Sequence, residues 1–135
     1  MSTEPTYTVT LTRTQLAAVR DACELLSRIH IGQLEHVAEK LHGLPHEHSM
    51  ELEKQLRRLN HIVTGLESPH ASRAQNETMR LHHQVAWGIY HAARYQLYME
   101  QLGRASDGND WSVMSRPPNP EGGQPVPKIK RTVDE

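Results

Sequence analysis

Phenylalanine is absent from this chain, and cysteine occurs once, at Cys23. A single thiol closes no intrachain disulfide, which excludes the stapled scaffold of a small secreted domain. With no Phe, and with only 36% of its 135 residues hydrophobic, the chain has little from which to build a core. A domain of this size often completes its burial against copies of itself, so a homo-oligomer is expected. No apolar run approaches the ~20 residues that span a bilayer. The opening Met1-Ser2-Thr3-Glu4-Pro5-Thr6 carries neither the basic nor the apolar region of a leader. No membrane partner is expected, and the expected location is the cytoplasm. A basic surplus is lacking too: 15 Lys and Arg stand against 16 Asp and Glu, a formal net charge of -1. Proteins that coat duplex nucleic acid carry such a surplus, so a duplex is not an expected partner.

Catalytic signatures are also missing. There is no GxSxG elbow, no phosphate-cradling Walker loop and no GxGxxG after a strand. Cys23 falls on an apolar helical stripe and reads as core. Glu35 and Glu39 read as a solvated helix face rather than an acid/base pair. No enzyme activity, catalytic residue or cofactor is expected.

What is present is mostly helical pattern. Tyr7, Val9 and Leu11 alternate with Thr8 and Thr10, a short strand signal. Thr12-Arg13-Thr14-Gln15 then has the form of a capping box, in which the Thr hydroxyl and the Gln side chain satisfy each other's backbone amides. The helix it opens has Leu16, Val19, Ala22, Cys23, Leu26 and Ile29 at helical spacing as its predicted buried stripe. Gly32 bends or ends it. Ile31, Leu34, Val37, Ala38 and Leu41 continue a helical pattern to about His42, where Gly43-Leu44-Pro45 stops it. From a cap at Ser49, Leu52, Leu56, Leu59, Val63 and Leu66 form a narrow seam suited to helix packing. A long helix is predicted from about Ser72 to Leu102, with Leu81, Val85, Ile89, Ala92 and Met99 as its apolar face and Gly103 as its stop. Residues 104–135 hold five of the eight prolines and three of the eight glycines, so they read as an extended tail. Trp111, Val113, Met114, Val126, Ile129 and Val133 are its docking candidates. The predicted fold is therefore mainly α: a short N-terminal strand, a hairpin-like helical bundle over 1–103 with one long final helix, and a Pro/Gly-rich tail over 104–135 docked on the domain or on a neighbouring subunit.

Ten histidines make a metal site the first chemistry to weigh. His42, His46 and His48 crowd one turn, but Gly43 and Pro45 break the helical spacing that would aim them together, and no HExxH exists. His82 and His83 point to different sides of one helix. No metal site is expected. The long helix offers more. His83, Trp87, Tyr90, Arg94 and Tyr98 fall at spacings of four, three, four and four on its predicted outer face, flanked by His91 and Tyr95. An Arg among rings pairs with phosphate while the rings stack on a base, which is what a nucleotide site needs. The same rings would equally serve as core or as a subunit interface. A third feature is Ser27-Arg28-Ile29-His30-Ile31-Gly32-Gln33-Leu34-Glu35, where a helix break near Arg28 would offer backbone amides to an anion.

Three stretches give the chain a resemblance. They are Leu11-Thr12 with the helix ending in Ser27–Glu35, then Ala86-Trp87-Gly88-Ile89-Tyr90-His91-Ala92-Ala93-Arg94-Tyr95, and the C-terminal Pro125-Val126-Pro127-Lys128-Ile129. In these it resembles a family of small proteins encoded by tailed phages and prophages, mostly without an assigned function. Similar sequences usually carry an acidic residue at the position of Gly88 and often a His at that of Tyr95, so neither residue is given a role. The resemblance implies work inside an infected bacterium, in the host cytoplasm. Several small helical phage proteins are sponges that sequester the cyclic nucleotide signals of bacterial immunity. The expectation is such an anti-defence sponge, binding a cyclic nucleotide without cleaving it. Arg28 and Arg94 would hold phosphates, Trp87 or Tyr90 would stack on a base with His91 beside them, Gln33 would read an edge, and Lys128 would close over the ligand. The alternatives are a protein-binding inhibitor or regulator of a host enzyme, using the same stripe, and a small DNA-binding regulator built on the first helix, against which Asp21 and Glu24 argue.

Overall fold

The computed structural model describes residues 4–102 and 128–131, with the side chains of 4–101. In chain order they form β1 (Tyr7–Thr10), α1 (Arg13–Ile29), α2 (His36–Lys40), α3 (His46–Arg57), α4 (Asn60–Thr64), α5 (Glu77–Leu102) and β2 (Lys128–Arg131). The fold is mainly helical, as the residue pattern predicts. Among the described residues no helix is long and apolar enough to cross a membrane. Two compact units divide the chain: Met1–Ala18 with Arg94–Glu135, and Val19–Ala93.

In the first unit β1 and β2 pair antiparallel, from Tyr7 opposite Arg131 to Thr10 opposite Lys128. The capping box forms as drawn. Thr12 Oγ1 accepts from the Gln15 amide at 3.2 Å, and Gln15 Oε1 accepts from the Thr12 amide at 2.9 Å. One turn on, Ala17 is buried with Leu97, and Leu16 packs against them. Tyr95, Tyr98 and Met99 of this unit are exposed. The Gly103 stop and the docking candidates Trp111, Val113, Met114, Val126 and Val133 lie outside the described residues, as do the side chains of Lys128 and Ile129.

The second unit departs from the predicted stripes. On α1, Leu26 is 43% exposed and Ala22 is exposed, whereas Ser27 is completely buried. The helix presents Ser27 inward because its hydroxyl has partners there, so hydrogen bonding rather than hydropathy sets the face. The end of α1 is decided by Gly32, at φ +76°. The Gly32 amide donates to Ile29 O at 3.2 Å and the Gln33 amide to Arg28 O at 3.0 Å, the paired bonds of a Schellman stop. Those bonds use the amides that the anion reading would have left open, so the break near Arg28 is not an anion nest. The helical pattern after Gly32 is realised only as α2, leaving Leu41 exposed.

The leucine seam is cut as well. The third helix starts after Pro45, three residues before the predicted Ser49 cap, and ends at Arg57; Leu59 is exposed between α3 and α4. Asn60 follows the break. It is 2% exposed, and its side chain is saturated: Oδ1 accepts from the Leu34 amide at 2.9 Å, while Nδ2 donates to Glu35 Oε1 at 2.8 Å and Pro69 O at 3.1 Å. At the break Arg58 and Leu59 keep right-handed dihedrals, and the Leu59 amide bonds Leu56 O at 2.9 Å in a tightened turn. Bonded to Asn60, Glu35 is half-buried and sits 3.8 Å from Arg57 Nε, not on a solvated face.

The long helix begins at Glu77, five residues later than predicted, where Asn76 Oδ1 caps the Met79 amide at 2.9 Å. Its predicted apolar face is turned outward: Leu81, Val85, Ile89 and Met99 are 49%, 65%, 46% and 44% exposed. Within the second unit Ala86 and Ala93 are buried, and Met79, His83, Trp87 and Tyr90 are half-buried. His83, Trp87 and Tyr90 of the stripe assigned to the outside therefore face the body of this unit, while Arg94 and Tyr98 of the other unit are exposed.

Candidate functional site

The Schellman stop and the orientation of α5 place two predicted stretches against each other. Ser27 Oγ lies 2.7 Å from His83 Nδ1 and donates to His83 O at 3.2 Å, while His83 Nδ1 also lies 2.9 Å from Ser27 O. A proton on Nδ1 satisfies all three contacts, donated to the serine carbonyl and shared with its hydroxyl. This knot, fully buried at Ser27, fixes the end of α1 to α5 one turn before Trp87.

Arg28 follows, with its guanidinium carbon 5.4 Å from the centroid of the Trp87 ring. Its Nε donates to Glu24 Oε2 at 3.1 Å and its Nη1 to Gln33 Oε1 at 2.8 Å. Gln33 is itself oriented, since its Nε2 donates to Ser72 Oγ at 2.9 Å. Two of the five guanidinium N–H donors are thus engaged among the described residues, and the group is held within cation–π reach of the indole. Around Trp87 stand three more rings: His83 at 5.8 Å and nearly parallel, Tyr90 at 5.1 Å and tilted, His91 at 4.7 Å and edge-on. Trp87 and Tyr90 are half-buried and His91 exposed, so the ring group keeps one edge in solvent.

Electrostatics beneath the arginine are nearly balanced. Lys40 Nζ reaches Glu24 Oε1 at 2.5 Å and lies 3.7 Å from Asp21 Oδ1. Burial alone would push the Glu24 carboxyl up, but the hydrogen bonds and charges of Lys40 and then Arg28 outweigh it and hold the pKa below the ordinary carboxylate value. Glu24 is therefore ionised at neutral pH and fixes Arg28 in place. Burial pushes the Cys23 thiol up, which leaves it a poor nucleophile.

Five of the seven predicted ligand residues, Arg28, Gln33, Trp87, Tyr90 and His91, come together in this cluster. Arg94 is exposed and belongs to the first unit; Lys128 is placed only by its backbone in β2. Residue reading missed Ser27, Glu24 and Ser72. Ser27 stands beside Arg28 in the chain, and its burial is visible only in three dimensions. His82 stacks on His30 at 5.4 Å, away from His83 as the sequence indicates. Among the described residues no three of His, Cys, Asp and Glu are grouped to hold a metal ion. A depression of about 680 Å³ beside α3 is bordered by Glu47, Glu51 and Glu53 against Lys54, Arg57 and Arg58, a balance with no preference for an anion.

The chain matches no known family model, no curated protein and no solved structure. The geometry of the ring cluster is therefore what a functional reading rests on.

Proposed function

We propose that the protein works by binding and is a phage-encoded anti-defence sponge that holds a cyclic nucleotide immune messenger without cleaving it. One observation carries the reading: the Arg28 guanidinium carbon lies 5.4 Å from the centroid of the Trp87 ring, with Tyr90 and His91 packed on the same indole and His91 exposed to solvent. A base stacks on a solvent-facing ring of the group, in the way aromatic platforms take single nucleotides at about 1–3 kcal/mol per base. The guanidinium donors not engaged by Glu24 and Gln33 meet a phosphate. Because Glu24 and the Gln33–Ser72 pair already orient the arginine, little side-chain entropy is lost when the anion arrives.

The test is a thermal-shift screen against cyclic di- and trinucleotides and cyclic ADP-ribose variants. A ligand at 100 times its dissociation constant should stabilise the protein by about 2.7 kcal/mol, and it should be recovered chemically intact after heat release. Recovery of a linearised or hydrolysed product would contradict the sponge reading, and no shift with any member of the panel would remove it.

A further inference from the structure

The outward face of α5 in the second unit has no partner among the described residues, and its chemistry identifies one. Leu81, Val85 and Ile89 are 49%, 65% and 46% exposed, and Gly88 and Ala92 are exposed beside them. Together they form an apolar stripe on the order of 300 Å², comparable with the largest patch on a typical monomer, which is often functional. From Leu81 to Ala92 the helix carries no Lys, Arg, Asp or Glu at all. A solvent-facing helix ordinarily carries charges on its outer side, so this stretch is suited to losing its water. A charged partner would find nothing to pair with here, whereas an equally neutral apolar face would fit.

The order of residue sizes points to a second copy of the chain. Leu81, Val85, Gly88 and Ala92 follow at spacings of four, three and four, which is a two-heptad seam running large, large, small, small. In a parallel pair of such helices each residue meets its own kind, Leu on Leu and Gly on Gly, and one end gapes while the other is forced apart. In an antiparallel pair related by a two-fold axis, Leu81 meets Ala92 of the second copy and Val85 meets Gly88. Every layer then joins one large residue to one small one, in the self-complementary way that an isologous interface requires. Gly88 adds the close approach: a methyl group built there meets nothing within 4 Å in the single chain, so the notch is open.

We infer that the protein is a two-fold homodimer whose interface is the antiparallel pairing of the Leu81–Ala92 face of α5 with itself. This assignment does not rest on the ligand reading: its stripe is centred away from Trp87, and His91, three residues after Gly88, borders both.

The experiment combines a solution mass with a directed cross-link on the full chain. Light scattering at micromolar concentration should give twice the 15.4 kDa chain mass. Gly88→Val should weaken association at least tenfold while leaving the helical circular dichroism and melting of the single chain intact, since its added atoms meet nothing in one copy. In a Cys23→Ser background, a mixture of Val85→Cys and Gly88→Cys chains should cross-link to each other in preference to Val85→Cys with itself. A 15.4 kDa monomer, or a dimer indifferent to Gly88→Val, overturns the interface; preferential Val85→Cys self-linking overturns the antiparallel order.

Discussion

A methyl group on Gly32 would stand 2.2 Å from Thr64 Cγ2 and 3.2 Å from Asn60 O, on a backbone already at φ +76°. Gly43 has a similar backbone, at φ +91°, with nothing within 4 Å of the same methyl. The two glycines therefore separate conformational strain from packing. Gly43→Ala should cost about 1 kcal/mol, the left-handed penalty alone. Gly32→Ala should cost about 2–4 kcal/mol, because overpacking against Thr64 adds to that penalty. Urea denaturation of the two variants checks the difference, and equal losses would show that the Gly32–Thr64 contact is not tight. Glu24 supplies the second residue-scale prediction. Its folded pKa lies below the ordinary value near 4.5, so the unfolded chain binds more protons in that range. The stability it contributes is complete above that value and is lost as pH falls through the folded pKa. The stability gap between the native protein and Glu24→Gln should accordingly be widest at pH 7 and should close below about pH 4.5. A gap that does not narrow as pH falls below about 4.5 would mean that Glu24 acts through packing and not through its charge.

Helix ends are where local chemistry and the fold agree best, because a cap is made within a few residues. Thr12 and Gln15 announce the start of α1, and the left-handed Gly32 makes its stop. Asn76 is the same kind of device for α5, and Asn76→Ala should cost about 1 kcal/mol of stability through the orphaned Met79 amide, with Asn76→Asp retaining most of it. Thermal denaturation of the pair reads this directly. Helix faces are less legible. The long helix holds two stripes, Leu81-Val85-Ile89-Ala92 and His83-Ala86-Tyr90-Ala93, and hydropathy selects the first, while the fold buries the second. The reason is a set of contacts distant in sequence: Ser27 on His83, Arg28 on Trp87. Amphipathic rings that look polar become inward groups once such partners exist. The burial of Asn60 beside the cut leucine seam is hidden for the same reason, since Leu34, Glu35 and Pro69 are its partners only after folding. Trp87, Tyr90 and His91 are legible because rings at helical spacing are a local pattern, but the Arg of that pattern, Arg94, lies in the other unit. Arg28 comes from the block around Gly32, and Gln33 is drawn in through the resemblance. The Glu24 and Ser72 that orient these two are not legible.

For the molecule as a whole, the described hydrophobic residues that are fully buried are four alanines and Leu97, which is little for a chain of this length. Polar side chains occupy the places a leucine core would fill: Ser27, Asn60 and Thr64 are each at most 2% exposed. Such an interior specifies one arrangement through directional bonds while contributing modest hydrophobic stabilisation, so a ligand or a second copy that binds the folded state would raise its stability appreciably. The central claim is that the ring cluster at Trp87 is the ligand site. Calorimetric titration of a cyclic nucleotide that scores in the thermal screen, into the native protein and into Trp87→Leu, tests it most directly. The substitution keeps an apolar side chain of moderate size but removes the indole on which Arg28, Tyr90 and His91 are assembled, and it should weaken binding by roughly ten- to a hundredfold, the ~1–3 kcal/mol of one stacked base. Equal affinity for the two proteins, with Trp87→Leu folded by circular dichroism, would contradict the account.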